Sequence, residues 1–386
     1  MTCSSFTLAI YSASHEQVQN EFTTSTVLSL LPFTLYVYGL AFGPAVAAPL
    51  SETFGRRFIY VCMTPIALLF ILGASFAHNL AALAICRLLA GIMISAPLAV
   101  GAGTMMDMWT GIYTNRGVIL IMTIAFLGPA VGGLVGGWVS QFLKWQWSHW
   151  VSLCLGAALW IFSMGAKETY AGPPMRRNAK KLGLSIPPAP IPAGLAGARF
   201  LVTVTLARPL YMLVREPTVL LCSLYSSLNF SALFCFLAAI PLIYSDTYGF
   251  TPGQSGLVLM GITVGCFLGG TTLVLIDSYT RRRHTRKHGA EASKPERMLW
   301  GAMIGGPLMA GALFWFAWTA QPGIHFMSSI VATGLFDFSN ILVFVSCGAF
   351  FSLHNKRTHT VRSTGLDHAL LDQCLWCQVR GIGPGS

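Results

Sequence analysis

Long apolar runs separated by short polar breaks organise this chain. Nine such runs are legible, from about Val27 to Ala48, Phe58 to Ala77, Leu80 to Met106, Gly117 to Val139, Trp150 to Ala166, Val219 to Ile243, Gly256 to Ile276, Met298 to Trp318 and Phe326 to Phe350. Each approaches or exceeds the roughly 20 residues that a helix rising about 1.5 Å per residue needs to cross about 30 Å of hydrocarbon. The runs are continuously apolar and do not alternate, which excludes a membrane barrel and leaves helices, whose backbone hydrogen bonds close internally. The pattern predicts an all-α polytopic membrane protein with about nine complete transmembrane helices.

Composition agrees with the pattern. Charged residues make up 10% of the chain, against roughly a quarter in soluble domains, and 54% is hydrophobic. The net charge of +11 raises the question of a nucleic-acid partner until the charges are placed. If the helices alternate in direction, the loops near 52–57, 107–116, 167–217 and 277–297 and the tail after Phe350 share one side and hold 22 of the 24 Lys and Arg residues. The positive-inside rule puts that side in the cytoplasm, so the charge is a topology signal and no nucleic-acid partner is needed. The ten cysteines lie mostly within apolar runs and form no disulfide framework. No nucleophile, metal or phosphate-loop constellation stands outside the membrane, so the chain does not read as an enzyme, and no cofactor is expected.

The polar stretch 167–217 contains SIPPAPIPAG, a linker composition, and divides the chain. Residues 1–166 form one half, 167–217 a cytoplasmic linker, 218–350 the second half and 351–386 a polar tail. ETFGRR in the first half and DSYTRRR after Ile276 in the second stand at matching places, a sign of parallel internal repeats such as transporters use. Within the fourth run, LGPAVGGLVGGW places Gly128, Gly132 and Gly136 four apart, and Gly133 and Gly137 likewise. Small residues so spaced form a ridge that admits a neighbouring backbone, and Pro129 predicts a kink.

On these motifs the chain resembles the major facilitator superfamily, specifically its twelve-helix fungal multidrug proton antiporters. GPAVGGLVGG is similar to the antiporter motif of the fifth helix, with Gly133 where a second proline is usual. PLSETFGRR resembles the signature between helices two and three, and CRLLAGIMISAPLAVGAGTMMDMW the fourth-helix motif, with Arg87 in the arginine position. The resemblance implies two rocking halves that export amphipathic organic compounds (drugs, toxins, polyamine-like cations) in exchange for protons, as a monomer in the plasma membrane. It further implies a breakable cytoplasmic gate built from Glu52, Gly55, Arg56, Arg57, Asp107 and Glu168. Gly55 permits a sharp turn there, and Arg56 and Arg57 can fork onto Asp107 or Glu168, or serve only as topology signals.

Two ionisable residues lie inside apolar runs. Arg87 stands about 10 Å in from the outer end of its helix at about 1.5 Å per residue, where its charge needs a partner, water or a snorkelling path. The resemblance ties it to proton coupling and substrate handling, by tuning an acid or holding an anion. Asp337 is the one carboxylate deep within a run, near mid-membrane, and reads as a proton or cation site or a structural hydrogen bond; no family motif covers it. The tryptophans Trp145, Trp147 and Trp150 read as headgroup anchors. Before Val27 only SSFTLAIYSAS is apolar, too short to span, and no run of spanning length follows Phe350. Against the twelve-helix pattern this predicts a first helix that is incomplete and two last helices that are missing, and it keeps open a truncated, non-transporting membrane protein.

Overall fold

The structure, a computed structural model, describes residues 2–109, 112–165, 168–169, 214–215, 217–288 and 299–350. Most of the linker, the whole tail, and the side chains of Glu52 and Asp107 lie outside the described residues. Among those described, nine helices are long and apolar enough to cross a membrane, in the places the runs predict. In chain order the elements are α1 (Thr2–Ser12), α2 (Leu31–Phe54), α3 (Arg56–Ser75), α4 (Leu80–Ile94), α5 (Ala96–Met108), α6 (Ile112–Phe142), α7 (Gln146–Met164), α8 (Pro217–Tyr248), α9 (Pro252–Val258), α10 (Met260–His288), α11 (Leu299–Thr319) and α12 (Phe326–Phe350). Two short helices, His15–Glu21 and Thr26–Ser29, join α1 to α2.

Local sequence explains the breaks. The run from Leu80 to Met106 is two helices, with Pro97 at the start of α5, where its missing N–H costs nothing. Inside α3, Pro65 deprives the Val61 carbonyl of its helical donor, and the preceding turn Ile59–Met63 widens into a π-helix. The Trp160 indole of α7 donates to that Val61 carbonyl at 3.1 Å. Large apolar side chains such as Phe42, Leu69, Phe162 and Leu221 face outward, as hydrocarbon surroundings permit.

Helix α6 is the centre of the assembly. Its Ile119, Phe126 and Ala130 belong to the same buried core as Leu237 and Tyr244 of α8, Ile262 and Cys266 of α10, and Phe336 and Ile341 of α12. A second core joins Leu8 of α1 to Tyr36, Leu68, Ile71 and Ile94.

Candidate functional site

The glycine-rich stretch of α6 carries two rows, and each receives a different neighbour. A Cβ on Gly132 would lie 2.6 Å from the Phe6 carbonyl oxygen, and one on Gly136 2.7 Å from that of Ile10; Gly128 faces Thr2 and Ser5 in the same way. That row therefore seats α1. Gly133 and Gly137 face Leu259 and helix α9 at Pro252 and Gly256, from the chain beyond the linker. The five glycines thus form two ridges, where the spacing alone suggested one.

Pro129 completes this seam. It removes the helical donor from the Ala125 carbonyl, and the Ser5 hydroxyl donates to that oxygen at 2.9 Å. Helix α1 runs alongside α6 from the level of Gly128 to that of Gly136.

At the opposite end of the helices, Gly55 has φ of 97°, a conformation that L side chains rarely adopt. The turn exposes the first N–H groups of α3, and Glu168 occupies them. The Arg56 N–H donates to Glu168 Oε1 at 2.9 Å and the Arg57 N–H to Oε2 at 3.1 Å. A carboxylate on a helix N-terminus is favoured by both the orphan donors and the helix dipole. The sequence suggested Asp107 or Glu168 as partners for the arginine side chains; Glu168 also takes the backbone N–H groups of both arginines. The Arg56 side chain donates from Nη1 to Ser51 Oγ at 2.9 Å and lies over Gly103 of α5, and Arg57 Nη2 donates to the Met164 carbonyl at 3.3 Å. Glu168→Ala is expected to lower the thermal midpoint by the equivalent of about 1 kcal/mol, the usual cost of losing a helix cap, with Glu168→Gln between it and the parent. An unchanged midpoint for Glu168→Ala would show that this clamp contributes nothing.

Arg87 is buried, 1% exposed, so it does not snorkel. Its Nη1 donates to the Thr7 carbonyl of α1 at 3.0 Å, and its guanidinium carbon lies 4.0 Å from the Tyr11 ring centroid and 5.2 Å from that of Tyr36. Nε and Nη2 have no hydrogen-bond partner, and no carboxylate pairs with it among the described residues. Of the two partners expected for it, an acid or an anion, no acid stands beside it among the described residues. Two tyrosine faces stand in its place, an arrangement that stabilises a desolvated cation through the ring quadrupole. His149 of α7 is buried against Tyr11 and Trp145, and its Nε2 also lacks a partner.

Asp337 of α12 is fully buried, and neither carboxylate oxygen has a hydrogen-bond partner of good geometry. Arg87 and Asp337 therefore keep separate neighbours. Two long-range contacts were not read from the sequence. Trp145 is buried and donates from Nε1 to Glu21 at 2.5 Å, so it is a packing residue and not a headgroup anchor; Trp147 remains half-exposed. Arg116 of α6 donates from Nη2 to Ser278 of α10 at 3.2 Å, a contact between the two parts of the chain. Ser278 follows Asp277 in the repeat-like DSYTRRR, which was a signal available in the sequence.

The chain belongs to the Major Facilitator Superfamily, whose family model matches residues 1–366. It is 33% identical over 347 residues to the MFS-type transporter traF of Penicillium crustosum, covering 89% of this chain and 68% of that one. It is 32% identical over 349 residues to the efflux pump FUB11 of Gibberella moniliformis, covering 88% of this chain and 58% of that one. The chain thus spans roughly three fifths to two thirds of these relatives' length. Among solved structures, the fold is similar to the partially occluded inward-open xylose transporter XylE from E. coli, with a TM-score of 0.60 at 13% identity over 91% of this chain and 84% of that one. The protein is accordingly a multi-pass membrane protein with a transporter fold.

Proposed function

We propose that the protein is a proton-coupled secondary transporter that exports amphipathic organic compounds across the plasma membrane as a monomer. The observation that carries the reading is Asp337, a carboxylate buried in a membrane-spanning helix with both oxygens unbonded. Such a group is stable only when it meets a proton or a cation, which is the requirement for coupling a proton gradient to movement. Similarity to a fungal efflux pump supports the outward direction.

In this reading residues 1–166 and 218–350 are the rocking halves, joined by the linker 167–217, with 351–386 as a tail. They meet along α6, where the Arg116–Ser278 bond is one contact to be broken on opening. The Gly55–Glu168 clamp, together with Arg56, Arg57, Glu52 and Asp107, forms the cytoplasmic gate.

The test is accumulation of rhodamine 6G by proteoliposomes with an acidic lumen. Protons leaving the lumen should drive dye inward against its gradient, a protonophore should abolish this, and Asp337→Asn should reduce it at least tenfold. Accumulation indifferent to the imposed pH gradient would overturn proton coupling.

A further inference from the structure

Among the side-chain atoms of described residues beyond the linker that are buried without a hydrogen-bond partner, six belong to three residues: both oxygens of Asp337 and the carboxamide O and N of Asn340 and of Asn229. All three residues are fully buried. Groups of this kind are normally satisfied inside proteins, so three together call for a missing partner.

Their placement brings them to one seam. Helices α8 and α12 run antiparallel, fixed by the Tyr244–Ser329 hydrogen bond of 2.7 Å and the ring pairs Phe236–Phe336 at 4.6 Å and Phe230–Phe344 at 4.7 Å. That register sets Asn340 between the last two ring pairs, and Asn229 about 6 Å further along the seam at roughly 1.5 Å per residue. On α12, Asp337, Asn340 and Phe344 follow the helical spacing that keeps residues on one face. Asn340 approaches the Asp337 carboxylate without closing a hydrogen bond of good geometry.

Aromatic rings adjoin this polar seam. Phe126 of α6 packs 5.6 Å from Phe230 and 5.2 Å from Phe344, so the three rings converge from both sides of the linker. A carboxylate supplies a counter-charge, carboxamide oxygens accept N–H bonds, and aromatic faces attract a desolvated cation. An alkylammonium group on an apolar body needs all three.

We propose that Asp337 and Asn340 bind the protonated amine of an amphipathic organic cation whose body extends along the seam towards Asn229, walled by Phe126, Phe230 and Phe344. This names the substrate class for the transport reading above and rests on it. The site lies near mid-membrane, between elements of the two parts, where a rocking fold opens to either side in turn.

The experiment uses the full chain in detergent and two probes, dansylcadaverine and its N-acetylated, uncharged counterpart, with dansyl fluorescence as the readout. The parent should bind the amine at least tenfold more tightly. Asp337→Asn should erase that preference while keeping the weak binding of the acetylated probe, which also shows that the variant is folded. Phe344→Leu should weaken the amine several-fold and Phe344→Trp should restore it. Equal affinity of the parent for both probes, or an undiminished preference in Asp337→Asn, would overturn the site. The vesicle assay separates the two proposals: amine-selective binding without gradient-driven flux removes proton-coupled transport and leaves the site standing, whereas gradient-driven flux without amine preference does the reverse.

Discussion

Gly132→Ala is expected to destabilise the protein, although alanine is the better helix former by about 1 kcal/mol. The added methyl would lie 2.6 Å from the Phe6 carbonyl oxygen and 3.0 Å from both the Phe6 Cα and the Ala9 Cβ, so helix α1 must withdraw. Overpacking of this kind costs roughly 1–3 kcal/mol, more than the propensity gained. Withdrawal would also pull Ser5 away from the Ala125 carbonyl that Pro129 leaves without a helical donor. The control is Gly311→Ala in α11, where nothing lies within 4 Å of the added Cβ and only the propensity gain should remain. Thermal unfolding in detergent should therefore place Gly132→Ala below the parent and Gly311→Ala level with it or slightly above. If both variants melt together, the close seam between α1 and α6 is not a feature of the folded protein.

That seam shows what periodicity can and cannot reveal. A four-residue spacing of small residues announces close approach, but it does not identify the approaching helix. Gly132 and Gly133 are adjacent in sequence and face α1 and Leu259 respectively, because neighbouring residues on a helix point about 100° apart. The nine spanning segments were legible because the bilayer imposes one length and one polarity on every span. The break within the third run was not read, since Ser95 and Pro97 are compatible with an apolar run while Pro97 begins a new helix.

Long-range pairings were the least legible. Glu21 and Trp145 are 124 residues apart, so the tryptophan's local surroundings suggested a headgroup position that its burial contradicts. Glu168 stood out as an acid near a helix end, yet its grip on the backbone of α3 depends on the turn at Gly55, which frees the N–H groups of Arg56 and Arg57. Asp337 was visible as a lone carboxylate within a span. Asn340 was overlooked, and Asn229 was read only as a glycosylation sequence that its span makes unreachable, because an uncharged amide barely lowers a run's hydropathy, while burying it without a partner costs on the order of kilocalories.

Arg87→Ala is expected to reduce gradient-driven transport at least tenfold while leaving the protein inserted and folded. The two halves of that expectation have one source. A buried guanidinium with only the Thr7 carbonyl as hydrogen-bond acceptor, and no carboxylate among the described residues, is incompletely compensated. Its desolvation costs several kcal/mol, and the faces of Tyr11 and Tyr36 return about 2 kcal/mol each at the upper end of cation–π energies. Removing the charge should therefore cost little stability, the lost packing being offset by the lost desolvation. Arg87→Met, which keeps the volume and drops the charge, should melt at or above the parent. A buried charge that adds little to stability points to a role beyond packing, and the resemblance ties this position to proton coupling and substrate handling. Arg87→Lys keeps the charge but loses the planar fork that can reach Thr7 and face both rings together, so it should recover only part of the activity. The decisive comparison is flux against thermal midpoint for Ala, Met and Lys on the same preparations. If the Met variant unfolds several degrees below the parent, Arg87 is a structural residue and its loss of transport carries no functional meaning; if it melts with the parent and still transports, the arginine plays no part in coupling.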